Sequence, residues 1–126
     1  MMQDEIIQQN LIVDDSRTVR QLLKLILMKG LKCQITEAQD GLEAIKIIQD
    51  EPFDLVITDI NMPNMNGLSL VNKVRSELEL KMPIIIITTL GKEEDRDKGL
   101  LLGANSYLTK PFNGPNVVKT ASDLLQ

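Results

Sequence analysis

The sequence contains no histidine and a single cysteine, Cys33. Without histidine the chain can hold no Ser–His–Asp triad, no histidine-ligated metal and no phosphohistidine of its own. One cysteine cannot form an internal disulfide, and residues 1–10 are mostly polar, unlike the apolar stretch of a signal peptide. These absences predict a protein of a reducing, cytoplasmic setting that is not attached to a membrane.

The sequence also contains few aromatic residues, and fewer basic than acidic residues. Aromatics make up 2% of the residues, which disfavours functions that depend on ring stacking, such as binding single-stranded nucleic acid or a flavin. The 14 basic and 18 acidic residues give a net charge of −4, which disfavours nonspecific binding to nucleic acid or anionic membranes. We therefore expect its partners to be proteins or cations.

The chain alternates short apolar runs with longer helical patterns, and it contains no linker or repeat that would divide it. A length of 126 residues is typical of one domain, predicted here over residues 1–126. The predicted strands are Leu11–Val13, Cys33–Ala38, Leu55–Thr58, Ile84–Thr88 and Asn105–Thr109. A helix is predicted after each strand; these helices end near Gly30, Gln49, Glu77, Leu102 and Leu125. This alternation predicts a doubly wound α/β fold with five parallel strands and five helices.

Apolar spacing predicts which helix faces are buried. In the first two helices, apolar residues at intervals of three or four predict buried stripes, which comprise Val19, Leu22, Leu23, Ile26, Leu27, Leu42, Ile45 and Ile48. The third helix, predicted as one element over Gly67–Glu77, directs Leu68, Val71 and Val74 inward by the same spacing.

The fourth helix, predicted over Lys92–Leu102, is expected to be the least stable. Its first half is charged, and Gly99 costs about 1 kcal/mol relative to alanine inside a helix. The adjacent Leu100, Leu101 and Leu102 sweep about 200° of helix surface at about 100° per residue. At least one of these leucines should face outward, either to contact a partner or to pack on a neighbouring loop or helix.

Polar residues follow or end four of the predicted strands, where ligands of parallel sheets bind. They are Asp14 and Asp15, Asp59, Thr88, and Lys110. Each has a plainer explanation: Asp15 can cap a helix, Thr88 suits a strand and Lys110 can be a solvated cation. Together, however, three neighbouring carboxylates repel one another and need a cation, for which Lys110 and a divalent ion such as Mg²⁺ are candidates. A carboxylate beside a metal, an ammonium and a hydroxyl has the parts needed for phosphoryl transfer.

Four motifs, LIVDDS, VITDINMPNMNG, IIIITT and SYLTKPF, occur in this order and span most of the chain. With these motifs the sequence resembles the receiver domain of two-component response regulators, especially CheY-like single-domain regulators. The resemblance implies a flavodoxin-like sheet with strand order 2-1-3-4-5. It also implies a phosphoacceptor signalling domain that catalyses only its own phosphorylation and dephosphorylation. A chemotaxis-like pathway is one setting that the resemblance suggests.

The resemblance also implies roles for individual residues. Asp59 is the phosphoacceptor, and the metal ligands for Mg²⁺ or Mn²⁺ are Asp14, Asp15, Asp59 and the backbone carbonyl of Asn61. Thr88 and Lys110 bind the phosphoryl oxygens, with Lys110 directed by a cis bond to Pro111. The donor is a histidine kinase or phosphotransfer protein, and the output is contact with a downstream protein target rather than direct binding of nucleic acid.

Tyr107 occupies the place of the aromatic residue that, in the family, turns inward as Thr88 moves toward the phosphoryl group. The simpler alternative is a strand residue whose hydroxyl stays in water. The readout surface is the fourth helix, fifth strand and fifth helix, where Leu100, Leu101 and Tyr107 are candidate contacts. Leu90 and Asn61 lie beside the path of the hydrolytic water in the family, so Leu90 is expected to shield the acyl phosphate.

One loop position departs from the family: Asn66 stands where an acid is common. The sequence does not explain this residue.

Rival functions lack the residues they need. A haloacid-dehalogenase-type phosphatase requires two acids spaced two residues apart after the first strand, and the sequence VDDS does not provide them. A flavodoxin-like electron carrier lacks its phosphate loop and aromatics, and a P-loop enzyme lacks its glycine-lysine loop. The serious alternative is a docking module of the same fold that works without phosphorylation.

Overall fold

A computed structural model describes residues 7–126. The strands are β1 (Gln8–Val13), β2 (Cys33–Ala38), β3 (Leu55–Asp59), β4 (Ile84–Thr89) and β5 (Ser106–Lys110). The helices are α1 (Arg17–Gly30), α2 (Gly41–Asp50), α3 (Gly67–Asn72), α4 (Glu93–Leu102) and α5 (Gly114–Leu125). Within residues 7–126, no helix combines the length and the apolar character needed to cross a membrane.

The five strands form one parallel sheet in the order β2-β1-β3-β4-β5. This is the predicted fold and strand order, so both predictions are confirmed. Because all strands run the same way, their carboxyl ends lie along one edge of the sheet. The register pairs Val13 with Thr58, Asp59 with Ile87, and Thr88 with Thr109, which brings the polar ends of four strands together.

Two apolar layers cover the sheet. On one face, α2 and α3 bury Ile45, Ile48, Leu70 and Val71. On the other, α1 and α5 bury residues such as Leu23, Leu27, Val117 and Ala121. The four isoleucines of β4 are fully or almost fully buried and alternate between the two layers, as a central parallel strand requires.

The prediction that Leu22 and Leu42 are buried is wrong. Leu22 and Leu42 are 46% and 48% exposed. In α1, buried Leu23 and Leu27 lie about 100° and 140° around the helix from Leu22, which turns Leu22 toward solvent. In α2, Ala44 is fully buried and shifts the inward face away from Leu42.

The third helix is not the single α-helix that was predicted over Gly67–Glu77. Its second half, Lys73–Glu77, is a π-helical turn, a variation that apolar spacing does not reveal. The turn carries Arg75, whose guanidinium donates to the carbonyls of Leu80 and Gly103 at 2.8 and 3.0 Å and to Asn105 Oδ1 at 2.9 Å. Arg75 thereby fastens the C-terminal end of α4 to the segment before β4.

In α4, Gly99 is the buried residue. A methyl group built on Gly99 would overlap the Cδ1 atom of Ile86, so the glycine lets the helix approach the sheet closely. Lys92, at the start of α4, makes no side-chain capping bond. Leu101 is 88% exposed, consistent with the expectation that one of the three adjacent leucines faces outward.

Candidate functional site

Three carboxylates meet at the carboxyl edge of the sheet. Asp14 and Asp15 directly follow β1, Asp59 ends β3, and one oxygen from each lies within 4.8 Å of the others. Adjacency of β1 and β3 in the sheet produces this cluster. Asp14 is fully buried, Asp59 is 8% exposed and Asp15 is exposed to solvent.

Asp59 is a carboxylate with one oxygen held and the other facing a cation. Its Oδ1 atom accepts a hydrogen bond from the backbone N–H of Ile60 at 2.9 Å, and its Oδ2 atom lies 3.7 Å from Lys110 Nζ. Burial and the nearby charge of Asp14 raise its pKa to about 6, although Lys110 and the backbone amides of Ile60 and Asn61 lower it. The side chain is thus mainly ionised at neutral pH, but at an energetic cost.

Asp14 is buried with one oxygen unsatisfied. Its Oδ1 atom accepts a hydrogen bond from Ser16 N at 2.8 Å, whereas Oδ2 has no hydrogen-bond partner among residues 7–126. Lys110 Nζ lies 3.7 Å from Oδ2, too far for a hydrogen bond. Burial raises the pKa of this carboxyl, and Ser16 and Lys110 only partly offset that effect.

These donors fit a hard divalent cation. Carboxylate oxygens are the ligands that Mg²⁺ and Mn²⁺ prefer, and Mg²⁺ keeps several waters when one or two carboxylates bind it. A buried carboxylate oxygen without a partner is otherwise unfavourable. Because Asp15 is exposed to solvent, water can reach that side of the cluster and complete the coordination of such an ion.

The loop between β3 and α3 carries Asn61 and closes tightly on the site. Gly67 N donates to the carbonyl of Ile60 at 2.8 Å, and a methyl group on Gly67 would overlap the carbonyl oxygen of Asp59. Asn66 is the N-cap of α3, where its Oδ1 atom accepts from Ser69 N at 2.9 Å. An asparagine can cap a helix as an aspartate does, which explains the residue that the sequence left unexplained.

Thr88 and Lys110 close the site on the β4 and β5 side. The Thr88 hydroxyl donates to the carbonyl of Leu108 at 3.3 Å and lies 3.5 Å from Thr109 Oγ1, both long and therefore weak contacts. The Lys110–Pro111 peptide bond is cis. Lys110 Nζ lies 3.7 Å from both Asp14 Oδ2 and Asp59 Oδ2.

Beyond Thr88, a small cavity of about 130 Å³ separates the loop after β4 from β5. Its lining includes Thr88, Leu90, Arg96 and Tyr107. Tyr107 is 39% exposed, and the Arg96 guanidinium lies over its ring, 5.2 Å from the ring centre. Leu90 is 75% exposed. Arg96 was not among the predicted site residues; its place in the first half of α4, next to the predicted readout strand, is the one sequence feature that points to this contact.

The acid cluster, the lysine and the hydroxyl at one edge of a 2-1-3-4-5 sheet together define the receiver class of signalling domain. The chain matches the response regulator receiver domain over residues 11–122. It belongs to this family, so the predicted assignment to two-component signalling is confirmed.

Among its relatives, the chain is 43% identical over 111 residues to the chemotaxis protein CheY homolog of Campylobacter jejuni, covering 86% of this chain and 85% of that protein. It is 44% identical over 111 residues to the chemotaxis protein CheY1 of Helicobacter pylori, covering 86% and 89%. The structure of the chemotaxis response regulator CheY4 of Vibrio cholerae superimposes with a TM-score of 0.87 at 36% identity and covers 95% of this chain and 100% of that one.

Proposed function

We propose that Asp59 is the phosphoacceptor of a two-component phosphorelay and receives its phosphoryl group from a histidine kinase or a phosphotransfer protein. The observation that carries this proposal is the cluster of Asp14, Asp15 and Asp59 facing Lys110, with one buried Asp14 oxygen left unsatisfied. Because these 126 residues contain no histidine, the phosphohistidine donor lies outside this sequence.

In the transfer, an oxygen of Asp59 attacks the phosphorus atom and forms an O–P bond. The N–P bond to the donor imidazole breaks, and the imidazole takes up a proton as it leaves. Lys110 neutralises charge on the phosphoryl oxygens, and the Thr88 hydroxyl donates a hydrogen bond to one of them in place of its long contact to Leu108 O. The domain catalyses only this reaction and the later hydrolysis of its own acyl phosphate.

A bound Mg²⁺ or Mn²⁺ supplies the charge neutralisation that one lysine cannot provide for three carboxylates. Asp14, Asp15, Asp59 and the backbone carbonyl of Asn61 would hold it. With a cation held there, Asp59, whose pKa is raised by burial and Asp14, would stay in its ionised, nucleophilic form.

Phosphorylation changes the output surface through Thr88 and Tyr107. The phosphoryl group attracts the Thr88 hydroxyl, which borders the same cavity as Tyr107, and so favours a conformation with the tyrosine turned inward. The output surface comprises α4, β5 and α5 and contacts a downstream protein target, with Leu100 and Leu101 among its exposed side chains. If Leu101→Glu leaves affinity for that target intact, this residue is not a contact.

Leu90 lengthens the lifetime of the acyl phosphate. Its exposed side chain lies two residues after Thr88 on the rim of the cavity, where it shields the site, together with Asn61, from the attacking water. Leu90→Ala is expected to speed the loss of the phosphoryl group, measured by mass spectrometry after the donor is removed. An unchanged decay rate would contradict this role.

The decisive experiment is incubation with Mg²⁺ and acetyl phosphate followed by mass spectrometry. We expect one phosphoryl group on the protein, none after Asp59→Asn, and none when EDTA replaces Mg²⁺. Peptide mapping locates the modification. No mass gain at Asp59 in the unaltered protein would favour a docking module that works without phosphorylation.

A further inference from the structure

The loop between β3 and α3 is hydrogen-bonded to the start of α2 as well as within itself. Asn64, in the middle of this loop, donates from Nδ2 to Asp40 Oδ2 at 2.8 Å. The next residue, Met65, accepts a hydrogen bond through its carbonyl from Gly41 N at 3.1 Å. Asp40 is the N-cap of α2 and Gly41 is its first residue, so these bonds link the loop after β3 to the start of α2.

The bridge joins the connections that follow the two neighbours of β1. In the sheet, β1 lies between β2 and β3, and its carboxyl end is followed directly by Asp14 and Asp15. The hydrogen bond from Asn64 to Asp40 therefore ties the loop after β3, which carries Asn61, to the start of α2. Both ends of the bond lie at the same edge of the sheet as the acid cluster.

Both partners are built for this contact. One Asp40 oxygen caps α2 by accepting from Glu43 N at 2.9 Å, which leaves the other for Asn64. Asn64 has a φ of +67°, a left-handed conformation that asparagine tolerates better than most residues. That conformation presents its amide to Asp40. Both hydrogen bonds hold the pKa of the Asp40 carboxyl below its ordinary value.

We propose that Asp40 and Asn64 are positioning residues of the phosphorylation site, which hold the loop carrying Asn61 in place beside Asp14 and Asp59 for cation binding. This inference rests on the proposed function. A side-chain cap of α2 explains only one oxygen of Asp40 and gives no reason for the contact with Asn64.

Two substitutions separate positioning from capping. Asp40→Ser keeps a good N-cap for α2 but removes the oxygen that Asn64 uses. Asn64→Gly keeps the left-handed backbone accessible and removes only the amide donor. Glu79→Gly is the matched control, because Glu79 has a φ of +54° and precedes β4 at the opposite end of the sheet. It also removes one negative charge, as Asp40→Ser does.

The measurement is the Mg²⁺ dissociation constant from isothermal titration calorimetry, with urea unfolding in EDTA as a separate measure of stability. We expect each of the two substitutions, Asp40→Ser and Asn64→Gly, to weaken Mg²⁺ binding by about tenfold. This is the low end of the loss in metal affinity seen when residues that orient metal ligands are replaced, and we choose it because Asn64 is exposed. The double variant should bind about as weakly as either single one, since both remove the same bond. Glu79→Gly should bind as the unaltered protein does.

An unchanged Mg²⁺ dissociation constant in Asn64→Gly would overturn the positioning role. So would a double variant whose loss of Mg²⁺ affinity equals the sum of the two single losses. If Asp40→Ser fails to fold, Asn64→Gly decides the question alone. Failure of the unaltered protein to bind Mg²⁺ would overturn the proposed function as well, so the two failures are distinguishable.

Discussion

Replacing Asp59 by asparagine removes a carboxylate whose ionisation opposes folding in the metal-free protein. The asparagine carbonyl can still accept the hydrogen bond from Ile60 N that Asp59 Oδ1 accepts at 2.9 Å. Lys110 keeps Asp14 as a partner at 3.7 Å. The substitution therefore removes the charge without leaving the Ile60 donor unpaired.

The pKa of Asp59 sets the size of the effect. Burial, followed by Asp14, raises this pKa from 3.8 to about 6, which corresponds to about 3 kcal/mol at neutral pH because one pKa unit is about 1.4 kcal/mol. The folded state binds this proton more tightly than the unfolded state does. The contribution of Asp59 to stability is consequently most favourable below pH 3.8 and declines as the pH rises through 6, above which both states are ionised.

Urea unfolding in EDTA tests this reasoning. At pH 7.5 Asp59→Asn should be more stable by up to about 3 kcal/mol, and at pH 4.5 by only about 1 kcal/mol. Asp123→Asn, which removes an exposed carboxylate paired with Lys119, controls for the loss of charge. If the acid cluster binds Mg²⁺ as proposed, the added ion should narrow the difference by stabilising the unaltered protein. An asparagine variant of equal or lower stability at pH 7.5, or with the same advantage at both pH values, would refute the argument.

Substitutions at three further positions test other contacts. Asn66→Ala should lower the free energy of unfolding in urea by about 1 kcal/mol through loss of the α3 cap, and Asn66→Asp should retain that stability. Gly99→Ala should destabilise by about 1–3 kcal/mol, since the methyl group overlaps Ile86; a gain in stability would show that helix propensity outweighs packing. Arg96→Ala should alter the fluorescence of Tyr107, the sole tyrosine in a chain without tryptophan, and change stability only slightly, because the guanidinium lies at the surface. An unaltered emission spectrum would mean that the guanidinium does not lie over the ring in solution.

The fold could be predicted because the apolar patterns are local and regular. Five short apolar runs alternate with helical spacings, and parallel strands then bring their carboxyl ends to one edge. Asp14, Asp59, Thr88 and Lys110 each follow or end such a run, so their meeting follows from topology. The resemblance to receivers added the strand order, which the apolar runs do not contain.

The remaining features depend on contacts between distant segments. The spacing of Leu22 and Leu42 fits a buried face, yet the positions of the buried side chains around each helix turn both leucines toward solvent. Arg75 joins the π-helical turn to the end of α4 and to the segment before β4, and apolar spacing within one helix does not reveal such contacts. Asp40 follows β2 and Asn64 follows β3, and these two strands lie on either side of β1 in the sheet. Their hydrogen bond therefore depends on the strand order, and no local sequence pattern marks it.

The attachment of α4 is mechanically uneven. At its C-terminal end, Arg75 donates to the carbonyl of Gly103, and Gly99 rests against Ile86. At its other end, Glu93 and Glu94 are exposed to solvent and no side chain caps the first turn. The helix is thus fixed near Gly103 by hydrogen bonding and close packing, whereas its first turn is held to the sheet by the contact of Arg96 with Tyr107. The backbone of Lys92, before that turn, is bonded to the carbonyl of Thr89. We therefore expect a displacement of the loop after Thr88 to move the first turn of α4 more than its C-terminal end.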